Sequence, residues 1–249
     1  MRLFGLIGYP LGHSFSAGYF KEKFEKEQIG DCEYRNFPIE SIEKIHAVLD
    51  ENPQLMGLNV TIPYKRKIIP FLNELYPPAN EIGAVNTIKI ETTEGIPGKI
   101  LKGYNTDVYG FKTSLKSVLK ENIDKALILG TGGAALAVEH ALAEMGISSR
   151  KVSRNSSENF LGYEQLDEKI MKDYLLIINT TPLGTYPDFN TAPGIPYNFL
   201  GSSHILFDLV YNPSETLFMK KGKENGARVK NGYDMLVAQA EKAWEIWNS

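Results

Sequence analysis

The segment Leu127-Ile-Leu-Gly130-Thr131-Gly132-Gly133-Ala134-Ala135 constrains the fold more than any other stretch of this chain. An apolar strand runs directly into G-x-G-x-x-A, and a helical pattern follows. Glycines let a backbone turn tightly and come close to a pyrophosphate, whose charge is met by the unpaired N–H groups of the following helix. A bare G-x-G-x-x-A is weak evidence, because many loops are glycine-rich; the preceding strand and following helix supply the context a dinucleotide loop requires. The competing reading is a plain strand-to-helix turn.

The end of the next strand bears on which dinucleotide. A domain that binds NAD places Asp or Glu about 20 residues beyond the glycines, to hold the ribose hydroxyls. No acid occurs between Met145 and Ser157; the segment instead reads Lys151-Val-Ser153-Arg154-Asn155-Ser156. A guanidinium pairs with a 2′-phosphate through two hydrogen bonds, where an aspartate would repel it. NADP is therefore favoured over NAD. The alternative for Arg154 is a solvated side chain after an edge strand.

Short apolar runs alternate with longer amphipathic stretches, the pattern of strand–helix units in an α/β fold. Strands are expected over residues 2–8, 33–37, 57–62, 85–90 and 99–104, with helices over 17–28 and 39–51 long enough to cross over between parallel strands. A second series runs as helix 107–120, strand 126–129, helix 136–145, then strands 151–153, 175–179 and 205–209, and a long final helix over 235–247. With 249 residues, two domains are expected, joined at a short connection near Asn105 to Asp107. The final helix fits either half.

A formal charge of −3 lacks the basic surplus of a nucleic-acid binder, and no apolar run approaches the roughly 18 residues of a membrane span. The first residues are too short an apolar run for a signal peptide, so a cytoplasmic protein is expected. A single cysteine, Cys32, and four scattered histidines, His13, His46, His140 and His204, give no metal-ligand spacing, and no metal is expected.

In the first half, Gly57-Leu-Asn59-Val-Thr61-Ile62 alternates, so Leu58, Val60 and Ile62 face one way and Asn59 and Thr61 the other. Pro63 ends the strand and Lys65 follows at its carboxyl end, the side on which open α/β sheets bind ligands. An amine here and a carboxylate at Asp107, beside a redox cofactor, suit alcohol/ketone chemistry, in which the cofactor carries hydride and the protein manages the oxygen's proton. Taken singly, Lys65 also reads as a solvated helix start, and Asp107, Ser14 and Ser16 as helix caps.

Eight segments occur in order: Gly8-Tyr-Pro-Leu-Gly-His13-Ser14-Phe-Ser16, Asn59-Val-Thr-Ile-Pro-Tyr-Lys65, Gly83-Ala-Val-Asn86-Thr87, Gly103-Tyr-Asn-Thr-Asp107, the glycine turn, Asn179-Thr-Thr-Pro-Leu-Gly184, Asp208-Leu-Val-Tyr211-Asn-Pro and Asn231-Gly232-Tyr-Asp-Met-Leu-Val-Ala-Gln239. In that order the chain resembles the shikimate dehydrogenase family over its whole length. The resemblance implies an N-terminal α/β substrate domain, residues 1–104 plus 235–249, and a Rossmann-type NADP domain, residues 105–234, with the cleft between them. It implies reversible reduction of 3-dehydroshikimate to shikimate, with Lys65 catalytic and Asp107 beside it. Ser14, Ser16 and Tyr211 match the groups that hold the substrate carboxylate; Thr61, Asn86, Asp107 and Gln239 match those that bind its ring hydroxyls. Gly130, Thr131, Gly132, Gly133 and Ala134 match the pyrophosphate loop. Ser153, Arg154 and Asn155 match the segment receiving the adenosine phosphate, and Leu209 and Gly232 complete the cofactor set.

For lysine to act as the base in the reverse direction its amine must become neutral, which burial and the nicotinamide cation favour and a nearby carboxylate opposes. Orientation is thus the role expected of Asp107. Several positions depart from the family pattern: Ser153 and Asn155 flank the arginine in place of Asn and Thr, Pro182-Leu183 stands where serines are common, and Tyr233-Asp234 replaces a Gly-Leu stretch. Two other readings remain open at this level, a quinate/shikimate enzyme that uses NAD and a non-catalytic ligand-binding relative. The expected partners are the small substrate and the cofactor, in a monomer or homodimer.

Overall fold

The computed structural model describes residues 1–12, 15–92 and 98–249. The chain forms two compact units: Met1–Thr106 together with Ala240–Ser249, and Asp107–Gln239. The division falls inside the last helix.

The first unit is built from β1 (Arg2–Gly8), α1 (Phe15–Lys26), β2 (Cys32–Pro38), α2 (Ile45–Glu51), β3 (Leu55–Val60), β4 (Glu74–Leu75), α3 (Ala79–Ile82), β5 (Thr87–Thr92) and β6 (Lys99–Tyr104). Its sheet has the order β2-β1-β3-β5-β6-β4. The first three strands are parallel, joined by the crossover helices that the sequence pattern calls for. Beyond β3 the connection holds only a 3-10 turn at Ile69–Phe71, the two-residue β4 and one turn of α3. No long helix covers a crossover there, and β5 returns antiparallel to both β3 and β6.

Strand β1 is buried almost throughout because both faces of the sheet are covered. On one side Leu3, Ile7, Leu58, Val60, Ile88 and Ile90 join the α2 residues Ile45 and Val48. On the other, Phe4 meets α1 and the end of the final helix: Phe4 and Trp247 stack with centroids 4.9 Å apart, and Trp247 Nε1 donates to the Ile88 carbonyl at 3.0 Å. Gly57 makes room for that indole, since a Cβ there would lie 2.3 Å from Nε1.

The second unit comprises α4 (Asp107–Lys116), β7 (Lys125–Leu129), α5 (Gly133–Glu144), β8 (Ser148–Ser153), β9 (Phe160–Gly162), α6 (Glu168–Asp173), β10 (Leu176–Asn179), β11 (Ile205–Asp208), α7 (Leu217–Glu224), β12 (Arg228–Lys230) and the first part of α8 (Tyr233–Asn248). All six strands are parallel, in the order β12-β11-β10-β7-β8-β9. The chain thus starts in the middle at β7, winds outward through β8 and β9, and then reverses through β10, β11 and β12. This is the doubly wound dinucleotide-binding order, with its switch point between β7 and β10. Strands β7, β10 and β11 are apolar because helices cover both faces of a parallel sheet.

Of the boundaries that differ from the sequence pattern, three lie at β3, α4 and α2. Strand β3 stops at Val60, and Ile62 is 70% exposed rather than aligned with Leu58 and Val60, because the chain turns at once with Tyr64 N–H donating to the Thr61 carbonyl at 2.9 Å. Helix α4 stops at Lys116 rather than 120, where Leu119 N–H bonds back to Leu115. The stretch 39–51 is helical only from Ile42, as a 3-10 turn that leads into α2.

Candidate active site

In the first unit, the polar face of β3 and its neighbours forms one hydrogen-bonded network. Tyr34 hydroxyl donates to Asn59 Oδ1 at 2.8 Å, and Asn59 Nδ2 reaches the Asn86 carbonyl and Thr87 Oγ1, both at 3.3 Å. Asn86 Oδ1 accepts from Thr87 Oγ1 at 3.1 Å and from the Thr106 backbone N–H at 2.7 Å, while its Nδ2 donates to Thr106 Oγ1 at 3.0 Å. Ser16, in the first turn of α1, hydrogen-bonds the Tyr34 phenol; burial pushes that phenol's ionisation up and the Ser16 bond opposes it. Six side chains from five segments of the chain are thereby held in fixed rotamers.

Lys65 and Thr61 join this site through the backbone. Val85 N–H donates to the Lys65 carbonyl at 2.7 Å, which sets Lys65 beside Val85 and Asn86. Tyr64, buried with its hydroxyl on the Ile39 carbonyl at 2.6 Å, anchors the residue just before it. Thr61 N–H bonds Ile7 at the end of β1, and its methyl packs over Gly8. The structure therefore collects Ser16, Thr61, Lys65 and Asn86 at the carboxyl ends of β1 and β3. Ser14 and His13 lie outside the described residues. Tyr34, Asn59, Thr87 and Thr106 were not assigned from the sequence; the alternation that turned Asn59 away from the core was its only signal, and Tyr34 gave none.

In the second unit, β7 leads to Gly130, whose φ of +118° suits glycine and whose N–H donates to Val152 at 2.9 Å. A Cβ at Gly130 would lie 2.6 Å from Thr180 Oγ1. Helix α5 opens at Gly132 without a side-chain cap, so its first N–H groups are left for a ligand, and a Cβ at Gly132 would meet nothing within 4 Å. An open, uncapped helix N-terminus over a glycine turn at the switch point fits a pyrophosphate. Thr131, Gly133 and Ala134 complete that turn. Ser153 ends the neighbouring β8, with Arg154 and Asn155 exposed just beyond it. Burial raises the ionisation of the Tyr163 hydroxyl, and the Arg154 charge lowers it, so the guanidinium stands near that ring.

Of the remaining second-unit candidates, Leu209 and Tyr211 follow β11 and Gly232 follows β12. Gly232 N–H bonds the Val210 carbonyl at 3.2 Å, and a Cβ at Gly232 would lie 2.2 Å from the Leu209 carbonyl oxygen, so Leu209 and Gly232 are in direct backbone contact. Tyr211 follows two residues later and is half-buried. Asp107, only 6% exposed, opens α4. Gly110, one turn on, packs against α8, where its Cβ position is 3.0 Å from that of Gln239; Asp107 and Gln239 thus sit on contacting helices. Among the described residues no group of His, Cys, Asp and Glu is arranged to hold a metal ion.

A doubly wound parallel sheet with an uncapped glycine turn at its switch point, joined to a mixed sheet with a polar network at its strand ends, defines a dinucleotide-binding α/β protein of two units. Residues 6–88 match the shikimate dehydrogenase substrate-binding domain. The chain is 38% identical to the NADP(+) shikimate dehydrogenase of Clostridium beijerinckii, over 99% of this chain and 92% of that one. It superposes on shikimate dehydrogenase 1 of Peptoclostridium difficile with a TM-score of 0.84 and 38% identity, covering 100% of this chain and 92% of that one. The shikimate 5-dehydrogenase of Thermus thermophilus, crystallised with NADP(H) and shikimate, aligns with a TM-score of 0.83 and 30% identity over 99% and 93% of the two chains. The chain belongs to the shikimate dehydrogenase family.

Proposed function

We propose that this protein is an NADP-dependent shikimate dehydrogenase, which reversibly reduces 3-dehydroshikimate to shikimate in the biosynthesis of chorismate and the aromatic amino acids. The observation that carries the reading is similarity to enzymes of that name over 99% of the chain. In this reading the first unit takes the substrate and the second the cofactor, with the end of α8 belonging to the first.

NADPH, when bound, supplies the hydride that reduces the ketone carbon. Lys65, as ammonium, gives the developing alkoxide its proton; in the oxidative direction its neutral amine accepts the proton from the hydroxyl. Asp107 orients the hydroxyl. Ser14, Ser16 and Tyr211 hold the substrate carboxylate, and Thr61, Asn86 and Gln239 bind ring hydroxyls. A small polyol acid offers polar atoms on every side, and the network around Asn86 supplies short, fixed donors and acceptors without bulky apolar walls. Gly130 to Ala134 take the pyrophosphate, Ser153 to Asn155 the adenosine phosphate, and Leu209 and Gly232 flank the nicotinamide. No helix among the described residues is long and apolar enough to cross a membrane, and a cytoplasmic enzyme acting as monomer or homodimer fits the reading.

Steady-state assays of shikimate and quinate, each with NADP+ and NAD+, test the reading. The highest kcat/KM is expected for shikimate with NADP+. Preference for quinate with NAD+ would favour a quinate/shikimate enzyme, and absence of turnover in all four pairs would leave a ligand-binding relative.

A further inference from the structure

The proposed mechanism leaves one fully buried carboxylate unused. Asp208, at the carboxyl end of β11, is 0% exposed and accepts three hydrogen bonds. Its Oδ1 receives Asn179 Nδ2 at 2.9 Å and the Val210 backbone N–H at 3.0 Å, and its Oδ2 receives Thr216 Oγ1 at 2.6 Å. Val210 and Thr216 stand at the two ends of the β11–α7 connection, and Asn179 ends β10.

Asn179 ends β10 and holds the turn after it, its Oδ1 accepting from Thr181 N–H at 3.0 Å and from Thr181 Oγ1 at 2.6 Å. Thr216 caps α7, accepting from Met219 N–H at 3.3 Å. Val210 lies between Leu209 and Tyr211, and its carbonyl receives Gly232 N–H. Leu209 N–H itself bonds the Asn179 carbonyl at 2.9 Å. The carboxylate is therefore the common acceptor for the exit of β10 and both ends of the β11–α7 connection, and that connection carries Leu209 and Tyr211, assigned to the nicotinamide and the substrate carboxylate.

We infer that Asp208 is a positioning residue for the reaction: its carboxylate ties the Leu209–Tyr211 exit of β11 to the Asn179 turn and the α7 cap, and so fixes where those two groups stand. The inference rests on the function proposed above. A buried anion is costly unless every lone pair is engaged, and removing it would leave three buried donors without their acceptor. Burial raises the Asp208 carboxyl to about 6 against the pull of its three donors, so near neutral pH it still serves as the ionised acceptor.

The test uses the full chain with Asp208→Asn and, separately, Thr216→Val, measuring shikimate KM, kcat and melting temperature, with calorimetric binding of 2′,5′-ADP as a probe of the glycine turn and Arg154. Misplacing Leu209 and Tyr211 by a fraction of an ångström should raise shikimate KM and lower kcat, each by about tenfold. Affinity for 2′,5′-ADP should stay within about twofold, because its contacts lie at the ends of β7 and β8 rather than on the Leu209–Tyr211 exit, and Thr180 beside Gly130 keeps its own bonds to the Leu129 carbonyl. Thr216→Val should move the same parameters in the same direction, less strongly, and it carries the test if Asp208→Asn does not fold. In a Tyr211→Phe background the KM penalty of Asp208→Asn should shrink, since both act on one contact. Unaltered KM and kcat in the folded variants would overturn the inference, as would loss of 2′,5′-ADP binding in step with shikimate, which marks a general loosening. A wild-type protein inactive on shikimate with NADP+ would instead defeat the functional reading.

Discussion

In the proposed function, chemistry turns on Lys65 and cofactor choice on Arg154. Replacement of Lys65 by Ala removes the proton donor but leaves the Asn86 network intact, so kcat should fall by roughly 10² to 10⁴ with little change in shikimate KM. Unchanged turnover in steady-state assays would take Lys65 out of the mechanism. Arg154 stands exposed beyond β8 with no acid beside it in sequence to hold a ribose. Arg154→Ala should weaken NADP+ by roughly ten- to hundredfold, the worth of a charge-assisted contact, and NAD+ much less. Comparison of the two KM values checks this, and equal losses would make the guanidinium a bystander. Both assignments were proposed from the sequence because each residue follows a strand of clear pattern, and ligands bind at the ends of such strands. Tyr34 was not legible: it is one tyrosine in a short strand, and only folding sets its hydroxyl between Ser16 and Asn59.

At the scale of elements, α8 closes the first unit through Trp247. The indole fills the space over Gly57, stacks on Phe4 and bonds the Ile88 carbonyl, all on a sheet face otherwise covered by α1. Lys23 of α1, its own side chain buried, adds an ion pair to the half-exposed Glu241 at 2.8 Å. Trp247→Ala should destabilise by about 3–5 kcal/mol, the usual cost of emptying a large aromatic site, measurable as a lowered urea midpoint. Helical periodicity announced α8 but left open which half it covers; contacts over a hundred residues away in sequence decide that. The short elements β4, α3, β9, α6, α7 and β12 went unread because two to eight residues carry too little periodicity to separate them from loops.

For the whole molecule, Asp208 gives stability an unusual pH term. Its folded-state value of about 6 lies above the ordinary value of about 3.9, so between these limits the native protein binds a proton that the unfolded chain has released. Stability from this group therefore falls as pH rises through about 4 to 6, by about 3 kcal/mol in total. The carboxylates of Glu91 and Glu144, held below their usual range first of all by hydrogen bonds from Lys102 and Lys112, act in the opposite sense and lose their contribution as pH falls. Urea unfolding of wild type and Asp208→Asn at pH 4.5 and 7.5 isolates the term. The variant should gain on the wild type by about 2–3 kcal/mol between the two. A constant difference would mean that Asp208 is no more buried in effect than a surface acid.

The sequence by itself determined what is local: the glycine turn with its flanking strand and helix, the alternation that turned Asn59 and Thr61 together, the missing acid after β8, and the ordered motifs that point to the family. These are legible because backbone conformation and side-chain direction depend on near neighbours. The tertiary structure alone decided the antiparallel return of β5, the exposure of Ile62, the side that α8 covers, and the gathering of Ser16, Tyr34, Asn59 and Asn86 into one network. It alone placed the Asp208 carboxylate between the exit of β10 and the cap of α7. Those features arise from pairing and burial between segments far apart in the chain, and no window along the sequence holds both partners of such a contact.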